Sequence, residues 1–512
     1  MEKLFWGMVA GCAVAFSLLL GMYLNKTGVL DKNQETETTQ TAVEEPMDIS
    51  SLVNETQKNY GLASAALEDL PEKSSSSTPD RSTDSNTDTV TQPGGSSVVD
   101  SNRNDDHDYF MGEQEESEAE QASEEASSSQ ESNTPESKKN NEYQYQLYND
   151  HVVITKYLGS KSVLVIPDTI DDQPVTELAA SSFSSSKTLV SVDIPDSVVT
   201  IGDNAFKSAK SLSTVEMPDA LTSLGNGAFD GCSKLARVNI PDGVTQIGTK
   251  TFNGCSALTY VYIPSDVTSI GEQAFNNCYA LQQLSLPDSL QTIGKKAFFT
   301  CSALPKVSIP SDVTSIGESA FEGCTKAERF TMGNDVTTIG KNAFKGCTSA
   351  TYIKLSNSLE EIPEGMCNGN VLLEECPITG SVTRIGKNAF NGCVLLSSAA
   401  IPGSVESIED SAFNGCTSMD SLTFKSGCAV IGTSAFAGCT SLENVDFPST
   451  LLTIGTTAFS GCTKLAAVTI PSNTKSIQSQ AFNGTALADV TINKYCSVQS
   501  DSFPTNCTVY YY

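Results

Sequence analysis

A phenylalanine recurs every 23 residues through the C-terminal two-thirds of this chain, and that period limits the fold more than any other feature. The series runs Phe183, Phe206, Phe229, Phe252, Phe275, Phe298, Phe321 and Phe344, passes through Cys367, and resumes at Phe390, Phe413, Phe436, Phe459 and Phe482. A unit this short cannot bury its own apolar face, so each must pack on its neighbours in a solenoid. Within Leu235–Cys255, Val238 and Ile240 alternate with Arg237 and Asn239, as a short half-buried strand requires. Pro241 ends that strand because it has no N–H to give. Val244 and Ile247 turn a second corner inward, and Gly248 suits a backbone bend that a Cβ would hinder. Phe252 and Cys255, three residues apart, fit one helical or 3-10 turn that aims both into the core.

The sequence ahead of the repeats has a different composition. Residues 25–142 carry 27 acidic and 8 basic side chains and are rich in Ser, Thr, Asn and Gln, which predicts a disordered acidic stalk. Clusters such as Ser74–Pro79 and Pro93–Ser97 fit a flexible spacer. Residues 1–24 hold an uncharged apolar run from Leu4 to Leu24, long enough to span a bilayer. We read it as an uncleaved signal anchor; the alternatives are a cleaved signal peptide and a lipoprotein anchored at Cys12. From Tyr143 the apolar residues alternate, turn at Asn149-Asp150 and alternate again to Tyr157, which predicts a capping hairpin within 143–180. Repeats then fill 181–495, and 496–512, which breaks the period, is expected to cap the coil. A formal net charge of −30 argues against nucleic acid as a partner.

The recurring pattern Leu-x-x-Val-x-Ile-Pro-x-x-Val-x-x-Ile-Gly-x-x-Ala-Phe-x-Gly-Cys resembles the BspA-like leucine-rich repeats of surface proteins. The resemblance covers about Val163 to Val509. It implies a leucine-rich-repeat solenoid of the α/β type, with short parallel strands and short helical or 3-10 turns, exported and often associated with adhesion. The implied placement is the cell membrane, single-pass with the repeats extracellular, or secretion if the N-terminal segment is cleaved. Three departures stand out. Met366-Cys367 replaces Ala-Phe, Asn370 replaces the repeat Cys and Pro377 falls on a strand, so an irregular turn is expected there. The first unit carries an insertion between Ile166 and Ile194, and the period fails after Cys496.

Ten of the 16 cysteines form one ladder: Cys232, Cys255, Cys278, Cys301, Cys324, Cys347, Cys393, Cys416, Cys439 and Cys462. Their spacing suits buried structural thiols, because metal sites need ligands close in sequence or supporting His, and the chain has only His107 and His151. Cys496 and Cys507, outside the ladder, are the expected disulfide pair. No nucleophile elbow, P-loop, zinc-protease or dinucleotide motif occurs, so neither an enzyme nor a cofactor is expected. Asp residues such as Asp219 and Asp242 follow prolines and read as turn formers.

The outward strand positions are where units differ. Arg237, Tyr260, Tyr262, Lys306, Arg329, Tyr352 and Lys354 place aromatic and basic groups in one stripe on an acidic protein, and Tyr and Arg are enriched in binding hot spots. These seven are the expected ligand-binding residues, facing an extracellular protein or glycoprotein. The rival expectation is a structural protein that self-associates without a ligand.

Overall fold

The computed structural model describes residues 134–512, and every regular element among them is a β-strand. The expected anchor at 1–24 and the stalk as far as residue 133 lie outside the described residues. The chain enters through an antiparallel meander of β1 (Glu136–Lys139), β2 (Tyr143–Leu147) and β3 (Val152–Tyr157). The β2–β3 hairpin is the expected one. β1 falls inside the segment assigned to the stalk; its sequence, ESKK, is that of a solvated edge strand, and carries no apolar alternation to reveal it.

Two parallel ladders follow. The first begins at β4 (Val163–Val165), which pairs 28 residues on with Ser191–Asp193, and its regular long rungs, such as Arg237–Asn239 and Tyr260–Tyr262, pair residue i with residue i+23. The second has two-residue short rungs, each with one inward aliphatic. Gln246–Ile247, Ser269–Ile270, Thr292–Ile293, Ser315–Ile316 and Thr338–Ile339 form one unbroken sheet. The insertion after Ile166 is an antiparallel hairpin of β5 (Thr169–Ile170) and β6 (Gln173–Leu178), and β6 then pairs with β3 to join the cap to the coil.

The third side corrects an expectation: it holds no helix. Alternate N–H groups there leave their own coil. Lys250, Phe252 and Gly254 donate to Glu272, Ala274 and Asn276 of the next coil, at 2.8, 2.8 and 2.7 Å. Between them Asn253 and Cys255 donate within the coil, to Lys250 and Phe252. Positive φ at Lys250 (59°) and Gly254 (70°) makes this alternation possible, and no α- or 3-10 helix passes through such angles. The turn side is thus a third backbone ladder. Gly248 and its equivalents have a different reason from the expected bend. A Cβ on Gly271 would lie 2.7 Å from the backbone of Gly248, and one on Gly294 2.6 Å from Gly271, so adjacent coils touch there without side chains.

The Phe rings stack behind the turn side, with centroids 5.0–5.8 Å apart from Phe183 to Phe344. Each ladder thiol donates to the carbonyl of a residue in the previous coil, for example Cys255 to Phe229 at 3.3 Å and Cys278 to Phe252 at 3.2 Å. The expected stack of small thiols is therefore also a hydrogen-bonded column. Burial pushes Cys232 and Cys324 up to about 12, which keeps them neutral and unreactive.

The irregular coil behaves as Pro377 suggests. Its long rung shrinks to a single bridge, Tyr352 with Glu375, and the ring stack stops at Cys367. Met366, Cys367 and Cys376 are all buried there. Asn370 accepts from Cys347 N–H at 2.9 Å, and its Nδ2 is buried without a partner. A second interruption, at Gln283, has no proline in its rung; Leu284 and Leu286 are only half-buried there.

The C-terminal segment extends the coil. Ser497–Val498 adds a short rung, Thr508–Tyr511 adds a long one, and Phe503 stacks on Phe482 at 5.2 Å. The candidate pair Cys496 and Cys507 is not bridged in this structure. Cys496 adjoins the short rung and Cys507 the long rung, on separate sheets, and both thiols are free.

Candidate ligand-binding face

The long rungs turn one residue inward between two outward ones, so the outward positions stack in two columns. Val238, Val261, Val307, Phe330 and Ile353 are buried, which fixes the direction of their neighbours. In the first column Arg237 is in register with Tyr260, Tyr260 bridges to Gln283, and Lys306, Arg329 and Tyr352 follow on consecutive coils. In the second column Asn239 faces Tyr262, and further along Thr331 faces Lys354. All seven expected residues therefore lie on one face. They form a stripe and do not converge: Tyr260 and Tyr352 are four coils apart, roughly 19 Å at the spacing of paired strands.

Within the stripe the residues pair locally. The Arg237 guanidinium lies 5.4 Å over the Tyr260 ring, and Arg329 lies 4.4 Å over Tyr352. Tyr260 and Tyr352 are half-buried under these arginines, while Tyr262 is exposed and donates to Asp242 Oδ1 at 3.3 Å. The Asp242 carboxylate pushes the Tyr262 phenol above its usual range. Sequence position makes Asp242 a turn former. The turn itself is closed by Val244 N–H to the Pro241 carbonyl, and the carboxylate serves the face.

Two shallow grooves share Tyr260 and Tyr262. One is lined by Glu216, Asp219, Arg237, Asn239 and Asp242. The other contains Gln282, Gln283, Ser285 and Lys306, where the sheet opens at the missing rung. The acidic rim of the first groove escaped sequence reasoning. Glu216 occupies the same column as Asn239 and Tyr262, which was the available signal.

The cations of this face differ from those of the turn side. There Glu272, Lys295, Glu318, Lys341, Glu364, Lys387 and Asp410 follow one another at 23-residue intervals with alternating sign. Lys295 pairs with Glu318 at 2.8 Å and Lys341 with Glu364 at 2.7 Å. Among the described residues, Arg237, Lys306, Arg329 and Lys354 have no carboxylate within 4.0 Å. Also among the described residues, no group of His, Cys, Asp and Glu could hold a metal ion, and no helix is long and apolar enough to cross a membrane.

The geometry agrees with comparisons to known proteins. A leucine-rich repeat protein of Bacteroides ovatus has 26% identity over 73% of this chain and 99% of its own, with a TM-score of 0.65. A leucine-rich cell surface protein of Faecalibacterium prausnitzii is 30% identical over 57% of this chain and 95% of its own, with a TM-score of 0.37. No curated protein matches significantly. The family model for the BspA type leucine-rich repeat region matches residues 165–282, 268–397 and 383–509. The chain therefore belongs to the BspA-type leucine-rich repeat family.

Proposed function

We propose that the protein is a cell-surface binding scaffold, adhesin-like, that captures a host or neighbouring-cell macromolecule through the long-rung face of its repeats. BspA-type proteins are typically at the cell surface, and theirs is a scaffold fold. In this reading Leu4–Leu24 anchors the chain, the acidic segment gives reach, and the repeats present a rigid extracellular surface. The observation that supports it best is the column from Arg237 to Tyr352, where tyrosines and unpaired cations are stacked on an otherwise acidic protein. The test is capture of the full-length chain on extracellular-matrix proteins and mucins, beside a Tyr260→Ala/Tyr262→Ala/Tyr352→Ala variant. At least a tenfold loss in the variant supports the reading; equal capture by both proteins, or none by either, contradicts it.

One observation favours self-association as a second reading. The last rung, Thr508–Tyr511, ends its sheet, and Tyr495, Tyr510 and Tyr511 beside it are 82, 56 and 59% exposed. Oligomers that grow with concentration and disappear in a Tyr495→Ser/Tyr510→Ser/Tyr511→Ser variant would mark that role.

A further inference from the structure

We infer that the rungs Lys306–Ile309, Arg329–Met332 and Tyr352–Lys354 form a site for a linear anionic polysaccharide, one carrying sulfate or uronate groups. The inference rests on the binding-scaffold reading and names the class of ligand. Lys306 and Arg329 are register neighbours, so two cationic side chains leave strands about 4.8 Å apart, a pairing that destabilises a sheet. Nothing in the core requires it, since Val307 and Phe330 between them are buried whatever the outward residues are. Lys354 adds a third cation on the next coil, in register with Thr331. The same coils carry the alternating column Lys295–Glu318–Lys341–Glu364, so the repeat readily places an acid next to a base where only folding is served. On the sheet face no acid stands in register with Lys306, Arg329 or Lys354, and the nearest in their columns, Glu375, lies one coil beyond Tyr352, so an external anion can answer these three charges. A chain with net charge −30 repels polyanions elsewhere, so capture of one requires such a local site.

The face also favours a sugar polymer over an acidic peptide. Val307, Ile309, Phe330, Met332 and Ile353 all point inward and are buried, which leaves no apolar pocket for a peptide anchor. The central rung Arg329–Met332 is paired on both sides, so no strand can be added at the middle of the sheet. The remaining outward groups are hydroxyls: Ser308 and Thr331, 3.3 Å apart, and the half-buried Tyr352 under Arg329. Hydroxyls beside cations suit a polymer with alternating hydroxyl and anionic groups.

The experiment uses the full-length chain with dextran sulfate, neutral dextran and poly-L-glutamate as probes. The expected result is binding to dextran sulfate that weakens as salt rises, at least tenfold weaker binding to poly-L-glutamate, and none to dextran. A Lys306→Gln/Arg329→Gln/Lys354→Gln variant should lose at least tenfold, with an unchanged melting temperature. A Lys295→Gln/Lys341→Gln variant, which removes as many charges as two of these from the turn side, should bind like the parent. Full binding by the first variant, or equal binding of poly-L-glutamate, overturns the inference. If the chain captures matrix protein or mucin through its tyrosines yet ignores dextran sulfate, this inference fails and the scaffold reading stands. If nothing is captured at all, both fail.

Discussion

On the turn side, charges alternate from Glu272 to Asp410 and pair across coils, whereas on the sheet side Lys306 and Arg329 have the same sign and sit in register. Both columns climb the same coils and both are exposed, so neither solvent nor strand propensity explains the difference. The turn side behaves as a surface that only has to fold: the charges alternate in sign, and Lys295–Glu318 and Lys341–Glu364 close as ion pairs between coils. The sheet side departs from that rule where tyrosines and arginines concentrate. The contrast teaches that in a repeat protein the informative outward positions are those that break a pattern the same repeats satisfy elsewhere.

Substitutions that cross between the two sides should separate stability from binding. The largest effect is expected inside the turn side. Phe298 is fully buried between Phe275 and Phe321, and Phe298→Ala should cost about 3–5 kcal/mol, seen as a loss of cooperativity in thermal or denaturant unfolding. A Tyr260→Ala change on the sheet side should leave that transition nearly in place.

Next in size is alkaline loss of stability. The buried ladder thiols stay neutral when folded, with Cys232 and Cys324 pushed up to about 12 by burial, while thiols of the unfolded chain ionise near pH ~8.5. The folded state thus keeps protons that the unfolded state releases, so the thiols' contribution to stability is constant below about pH 8.5 and falls as pH climbs toward about 12. Denaturant titrations from about pH 7 to about pH 11 should show the decline. A Cys278→Ala/Cys301→Ala variant should be less stable at neutral pH but decline less steeply, and an unchanged slope would deny the thiols this role.

Smaller effects should come from the columns themselves. Lys341→Glu places a third acid between Glu318 and Glu364 on consecutive coils, and should lower Tm by about a degree or two at low salt, with recovery in high salt. Smallest of all, Lys306→Glu restores alternation beside Arg329 and should leave Tm equal or slightly higher, measured in the same melts.

Much of the fold was legible because the repeat multiplies each signal many times. The 23-residue period, the inward aliphatics and the buried Phe and Cys positions each recur often enough to outweigh local noise. The turn side reads as helical because Phe252 and Cys255 share helical spacing. Nothing at Lys250 announces a positive φ, and hydrogen bonds between coils are visible only once the coils are stacked. The strand Glu136–Lys139 was hidden for the opposite reason: an edge strand needs no apolar face. On the candidate site, the column membership of Arg237, Tyr260, Lys306, Arg329 and Tyr352 followed from the period alone. The stacking of Arg329 on Tyr352, the link from Tyr262 to Asp242 and the opening of the sheet at Gln283 did not, because they depend on side-chain rotation and coil-to-coil fit.

The most direct measurement compares Lys306→Glu with Lys341→Glu, two identical charge changes, for dextran sulfate affinity and melting temperature in one preparation of the full-length chain. If the sheet side binds and the turn side folds, Lys306→Glu loses capture without losing stability, and Lys341→Glu loses stability without losing capture. Equal loss of capture in both, or capture untouched by Lys306→Glu, would contradict the division of labour between the two faces.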